Sequence, residues 1–317
     1  MRTHFVFSAT LPSMPTPLQA FIALFLVGGF LRTSGLLNKT HAERLAAFVF
    51  SVSLPATILV SLDRATFAPA AWKLPLAACL ITIPMLFFSW QLARMLHLPR
   101  PTQGGFLLAT GCINSVYFAY PVVLATFGDE GLARAILFDL GQTTLTLTVL
   151  YAVALRHGEA SDSTTTFVSR FLLSPPLWAL SLMLLLKLFT LGLPSWLVQL
   201  LTPLHLTTTP LASLVLGLSI SLGTVRRTWP LTSFGVAVRM IGGLVLGIAA
   251  AFLLDLTGQE RAVVILVAGM PSAVTAVIFA TETRLDEDLV ASIVALSICV
   301  GVLLLPWLPR LAKVLTG

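Results

Sequence analysis

Two short stretches place helix-breaking and polar residues inside otherwise apolar sequence. The first, GCINSVYFAYP, runs from Gly111 to Pro121 with Asn114 near its centre; the second, GMPSAVT, runs from Gly269 to Thr275. In hydrocarbon every backbone polar group must be satisfied within the protein. A break is therefore tolerated only where the freed groups line a cavity or are buried by neighbours. Gly111, Asn114 and Pro121 can supply one break, and Gly269, Met270 and Pro271 the other. Pro271 has no N–H, which is expected to leave the Val267 carbonyl free. Where two such breaks meet, the half-helix N-termini aim partial positive charge at the crossing, which suits a carboxylate. The Asn114 amide adds two N–H donors and one acceptor. The candidate anion site is thus Asn114 with Ile113 and Ser115 on one side, and Pro271, Ser272 and Thr275 on the other. A single asparagine and proline also read as interhelical glue and a plain kink. Their recurrence as a matched pair of breaks favours a site.

Ionisable side chains within apolar segments are the next candidates. Asp139 lies in ARAILFDLGQTTLTLTV, and a carboxylate in a membrane segment is a functional hypothesis by default. It can take up a proton, bind sodium or brace the first break; a structural pair with Arg239 or Arg134 is the competing reading. Arg239, in GVAVRMIGGLVLG, can snorkel, pair with Asp139 or attract an anionic substrate, and pairing is the expectation. Both are assigned to coupling or gating. Gln142, Thr143 and Thr144 are weaker candidates for oxygen ligands, because threonines in such helices usually bond their own backbone. The same holds for Thr207 to Thr209 beside Pro210, and for Ser51 and Ser53 beside Pro55. Asp286 to Asp288 read as the N-terminal cap of a last helix. His205 reads as structural. The five histidines show no metal spacing, and no nucleophile elbow, phosphate-cradling loop or catalytic carboxylate pair is present, so enzyme chemistry has little support. No cofactor is expected beyond a coupling proton or sodium ion.

The elements that must position these residues follow from composition. The 317 residues are 57% hydrophobic and only 10% charged, with mean hydropathy +0.95. A soluble domain carries about 25% charge, so the chain reads as an all-α integral membrane protein. The basic residues, net charge +6, are scattered over short loops, which argues against nucleic acid as a partner. Cys79, Cys112 and Cys299 lie in apolar runs and read as small hydrophobes. The N-terminal apolar run continues to Leu37 and reads as a first span, not a signal peptide. At roughly 20 residues per crossing, about ten spans are expected. The hydrophilic stretch 156–166 divides them into a first five-helix repeat, 1–155, and a second, 167–317. An ungapped register setting Asn114 against Pro271 also sets Asp129 against Asp286, Glu130 against Glu287 and Leu132 against Leu289. Five spans per half make the repeats inverted, with broken helices at spans 4 and 9, a secondary-transporter signature. A thin majority of basic residues flanks the central linker, which puts that linker in the cytoplasm and both termini outside.

NSVYFAYPVVLATFG, from Asn114, resembles the fourth span of the auxin efflux carrier family. MPSAVTAVIFATETRLDEDLVASIVALS, from Met270, resembles that family's ninth span and its sequel. Pro55 in SVSLPATIL and Leu305-Pro306 resemble further family prolines, and the ordered set covers essentially the whole chain. Ala119 replaces the family glycine before the span 4 proline, Ile113 the plant proline before the asparagine, and Thr275 a frequent span 9 asparagine. These departures resemble the bacterial permease branch, related to the bile acid/sodium symporters, more than the plant auxin carriers. The resemblance implies a transport domain with crossed spans 4 and 9. That domain would move against a scaffold of spans 1, 2, 6 and 7, in a homodimer of the bacterial inner membrane.

The expected function is a secondary transporter or permease for a small organic anion such as a carboxylate. It would work by alternating access around the crossing of spans 4 and 9. A sodium-coupled symporter of the bile-acid type is the alternative, and an intramembrane enzyme a more distant one.

Overall fold

The computed structural model describes residues 16–66, 69–158, 173–220, 225, 228–308 and 314, and every regular element among them is helical. In chain order these are α1 (Thr16–Thr33), α2 (Lys39–Phe48), α3 (Leu54–Arg64), α4 (Lys73–Met95), α5 (Arg100–Gly111), α6 (Tyr120–Leu145) and α7 (Tyr151–His157). They are followed by α8 (Pro175–Leu188), α9 (Ser195–Ser219), α10 (Trp229–Ala237), α11 (Gly243–Leu253), α12 (Gly258–Ala268), α13 (Val274–Thr283) and α14 (Glu287–Leu304). Residues 1–15 and most of the central hydrophilic stretch lie outside the described residues.

Among the described residues, seven helical stretches are long and apolar enough to cross a bilayer: Thr16–Thr33, Thr40–Arg64, Lys73–Met95, Ser115–His157, Ser195–Ser219, Trp229–Leu253 and Glu287–Trp307. Large side chains such as Leu26, Phe252 and Leu303 point outward from them. Water would not tolerate that surface, whereas acyl chains do. The chain is therefore an integral membrane protein. The first helix ends at Thr33, four residues before the end of its apolar run at Leu37.

Several spans contain one π-helical turn: Val49–Ser53 joins α2 to α3, Thr146–Leu150 joins α6 to α7, and Val238–Gly242 joins α10 to α11. Such turns commonly mark functional positions in helices. The 43-residue stretch Ser115–His157 would be about 65 Å long if straight, twice the thickness of a bilayer core. It turns at Gly128, whose φ of 68° and ψ of −166° are open to glycine alone.

The helices pack in two groups. In one, α1 lies along α9, while α3 contacts α8 and α9 and α2 contacts α9. The close approach of α1 and α9 requires glycine: a Cβ on Gly217 would sit 2.1 Å from the Phe25 carbonyl oxygen, and one on Gly28 2.6 Å from that of Leu214. Small residues at such crossings let membrane helices gain dispersion contacts. A hydroxyl seam completes this group, with Ser53 bonded to Thr207 at 3.0 Å and Thr57 to Thr208 at 2.7 Å. In the other group, α4 packs on α5, α6 and α11; α11 on α12; and α14 on α5, α10 and α13. The groups meet where α6 and the turn before it face α1, α3 and α9.

Candidate functional site

The two sequence breaks meet. α5 ends at Gly111, Cys112 is extended (φ −85°, ψ 120°), and helix resumes at Ser115 as a π-helical turn leading into α6. α12 ends at Ala268, Ala273 is extended (φ −77°, ψ 142°), and α13 starts at Val274. Between the ends, Ile113 and Ser272 form an isolated antiparallel bridge. The Asn114 N–H donates to the Pro271 oxygen at 2.9 Å, and the Ala273 N–H donates to the Cys112 oxygen at 3.1 Å. Exchanging the two segments turns one bond into the other. The backbone freed by each break is thus partly satisfied by the other break, as hydrocarbon demands.

Asn114 is buried and its Nδ2 donates to the Ser272 oxygen at 3.2 Å. One donor of the amide therefore staples the crossing, leaving the second N–H to be used elsewhere. Ser272 is fully committed: its N–H donates to Ser297 Oγ at 3.1 Å, and its hydroxyl donates to the Ala109 carbonyl. Ile113 and Pro271 contribute backbone, and the Pro271 ring packs against Gly301. Thr275 is exposed in the first turn of α13, away from these bonds.

The C-terminal ends of the two half-helices are capped by side chains. Arg239, from the π-helical turn of α10–α11, is only 1% exposed; one terminal nitrogen donates to the Thr110 oxygen at 2.9 Å and the other to that of Ala268. Gly243 makes room, since a Cβ there would lie 2.1 Å from the Ala268 oxygen. Gln142 donates to the Gly111 oxygen at 3.0 Å and accepts from Thr82. These bonds correct two expectations. Arg239 does not pair with Asp139, because two helix ends with partial negative charge converge within reach of its planar fork. The Val267 carbonyl is not free either, because the chain tightens after α12 and the Met270 N–H donates to it at 3.1 Å.

Beyond the crossing, Ser115 and Tyr120 at the start of the α6 segment lie beside Asp139 and Thr143 of its second half. Asp139 Oδ2 accepts from the Tyr120 hydroxyl at 3.0 Å and from Thr143 at 3.4 Å. The carboxyl therefore ties the second half of α6 to the first turn after the break. Ser115 is 5% exposed and its hydroxyl, near the same carboxyl, has no partner at full hydrogen-bond geometry. Pro121 is not a breaker. Asn114 and Ser115 accept from Ala119 and Tyr120 in wider π-type bonds, and the helix runs on through the proline. The break is at Cys112 to Asn114, whose backbone leaves the helical region. Thr144 bonds the Leu140 carbonyl of its own helix.

A second polar cluster lies away from the crossing, where the helix groups meet. Asp129, just after Gly128, is 2.8 Å from Arg64 of α3, 3.2 Å from His205 Nε2 of α9, and accepts from Ser61 at 3.2 Å. Sequence reading set Asp129 against Asp286 but did not find these partners, which come from two distant helices. Asp286 itself caps α14 by accepting from the Leu289 N–H at 3.1 Å, as expected.

The chain matches a family model described as membrane transport protein over residues 16–309. It is 30% identical over 289 residues to an uncharacterized transporter of Methanothermobacter thermautotrophicus, covering 90% of this chain and 94% of that protein. It is 29% identical over 286 residues to an uncharacterized transporter of Methanocaldococcus jannaschii, covering 86% and 90%. The ordered prolines, the paired breaks and these matches lead to one assignment: the chain belongs to the membrane transport protein family, that of the auxin efflux carriers.

Proposed function

We propose that the protein is a secondary transporter for a small organic anion, with a carboxylate recognised at the crossing. The observation that carries this is the exchange-symmetric pair of bonds between Asn114 and Pro271 and between Ala273 and Cys112. It places the start of the α6 segment and the start of α13 beside one another, where their unpaired N–H groups favour negative charge. The second N–H of Asn114 and the unpartnered Ser115 hydroxyl are the side-chain donors on hand.

In this reading the chain forms ten spans in two inverted repeats, 1–155 and 167–317, joined by 156–166. Splitting the long stretch at Gly128 and joining the half-helices across their breaks gives that number. Matching contacts support the inversion. The start of α5 is tied to the turn before α14 by the Thr102 hydroxyl on Asp286 at 2.9 Å, and the start of α12 to the turn at Gly128 by Gln259 on the Phe127 oxygen at 3.2 Å. The group containing α4–α7 and α10–α14 would carry the site, moving against α1–α3, α8 and α9. Both termini would lie outside the inner membrane, and the scaffold helices would meet in a homodimer.

Proteoliposomes containing the purified protein should accumulate a dicarboxylate or an aromatic monocarboxylate with saturation. Absence of uptake across a carboxylate panel would sink the reading. Asp139, held only by hydroxyl groups among the described residues, supports cation coupling as a second reading. Asp139→Asn should then abolish the dependence of uptake on pH or sodium, and an unchanged dependence would return Asp139 to a bracing role.

A further inference from the structure

We infer that Arg239 is the specificity-determining charge of this transporter: it makes the crossing prefer an anion over an uncharged molecule of the same shape. The inference rests on the organic-anion reading above and names the group that gives that site its sign.

Arg239 is among the largest fully buried side chains, and among the described residues no carboxylate forms an ion pair with it. A buried cation without an anion is costly, so its retention needs a reason beyond donor supply. Donor supply alone does not require charge. At the same end of α5, the Gly111 carbonyl is capped by the neutral amide of Gln142. The guanidinium instead spans the last turns of both broken helices, on Thr110 and Ala268, and its Nε–H has no partner. Only a few residues separate those carbonyls from the helix starts at Ser115 and Val274. Four or five residues cannot extend much beyond about 15 Å, so an anion between the two starts lies within roughly that distance of the guanidinium, and about 10 Å is a representative separation. Its field enters that space through a low-dielectric wall. The partial negative charge of two helix C-termini offsets part of the cation, and a bound anion completes the balance. At about 10 Å and an effective dielectric of about 20, one unit charge changes the affinity for an anion about 15-fold. An uncharged ligand feels almost none of this.

The test measures binding of phenylacetate and malonate, and of phenylacetamide and malonamide, to the purified full chain, with direct titration or competition. Arg239→Gln should weaken carboxylate binding about 15-fold and leave amide binding unchanged, while Arg239→Lys should stay within about threefold of the parent. Cys112→Asp, which puts a carboxylate within electrostatic reach of the guanidinium, should mimic Arg239→Gln with the arginine still in place. It decides the matter together with the lysine variant if the glutamine variant does not fold. Equal loss of carboxylate and amide, or a folded lysine variant as impaired as the glutamine one, would overturn the inference and make Arg239 a structural cap. A parent protein that binds none of the carboxylates would instead remove the organic-anion reading, and this inference with it.

Discussion

Asn114→Ala separates recognition from folding at the crossing. Its side chain makes one recorded bond, from Nδ2 to the Ser272 oxygen at 3.2 Å. The two bonds between the broken segments, and the bond from Ala119 to the Asn114 oxygen, are backbone bonds that alanine keeps. A neutral hydrogen bond contributes about 1 kcal/mol net, and interhelical side-chain bonds in membranes average about 0.6 kcal/mol. Exposing the buried Ser272 carbonyl to no partner adds a comparable penalty. The stability loss should therefore be about 1–2 kcal/mol, a melting shift of a few degrees for a chain of this size. Ligand binding should suffer more, because a bond to a charged group contributes about 1.5–3 kcal/mol, or about 10- to 150-fold in Kd. The assay pairs thermal unfolding in detergent with carboxylate titration of the same sample. A large melting shift with unchanged affinity of the folded fraction would refute the reasoning and leave Asn114 as a staple alone.

Asp129→Asn should lower the transport rate more than it changes ligand affinity, because the Arg64 and His205 contacts join helix groups away from the crossing. Since the Arg64 pair is partly exposed, its own loss should destabilise by no more than about 1 kcal/mol; a proportional fall in affinity would count against this separation. Gly243→Ala should destabilise by about 1–3 kcal/mol through collision with the Ala268 carbonyl and the Arg239 fork. Gly128→Ala meets no atom within 4 Å, yet should lose a similar amount through its backbone geometry. Thermal unfolding that left either variant at the parent value would contradict the corresponding contact or dihedral.

The location of the crossing was legible because glycine, proline and asparagine in an apolar run have few physical interpretations. Its register was not. Ile113 pairs with Ser272, whereas the acidic turns align Asp129 with Asp286, and the two correspondences differ by two residues. Breaks of unequal length between matched helices produce such a slip, and local pattern does not encode it. Pro121 misled for a related reason: a proline breaks the interior of an α-helix, but directly after a π-type turn and in the first turn of α6 its missing donor is tolerated. The partner of Arg239 was hidden more deeply. An arginine in a span suggests a carboxylate by charge, and its actual acceptors are backbone carbonyls, which leave no trace in residue identity. The same holds for Gln142, whose polarity was visible and whose capping of Gly111 was not.

Backbone capping also shows where the loop charges are held. On the side of the Gly128 turn, Lys73 donates to the Leu254 oxygen, Lys187 to those of Asp63 and Ala65, Arg261 to that of Leu256, and Arg134 to that of Glu130. Arg64 is bound to Asp129. Every described basic residue on that side is thus held by a carbonyl or a carboxylate, most of them at helix C-termini, where a cation completes the dipole. On the other side Arg32 and Arg100 are tied in the same way, to the oxygens of Leu218 and Arg156. Arg44, Arg156 and Arg284, however, donate to no carbonyl or carboxylate among the described residues. A raw count of basic residues gives the two sides nearly equal weight. A hydrogen bond to a neutral carbonyl leaves the cation its full charge, and on the Gly128 side only Arg64 and Arg134 also face a carboxylate, so the membrane potential and lipid headgroups still act on nearly every one of these charges. The proposed topology, with the central linker in the cytoplasm, therefore rests on the thin majority of basic residues on the linker's side, whichever carbonyls they bond.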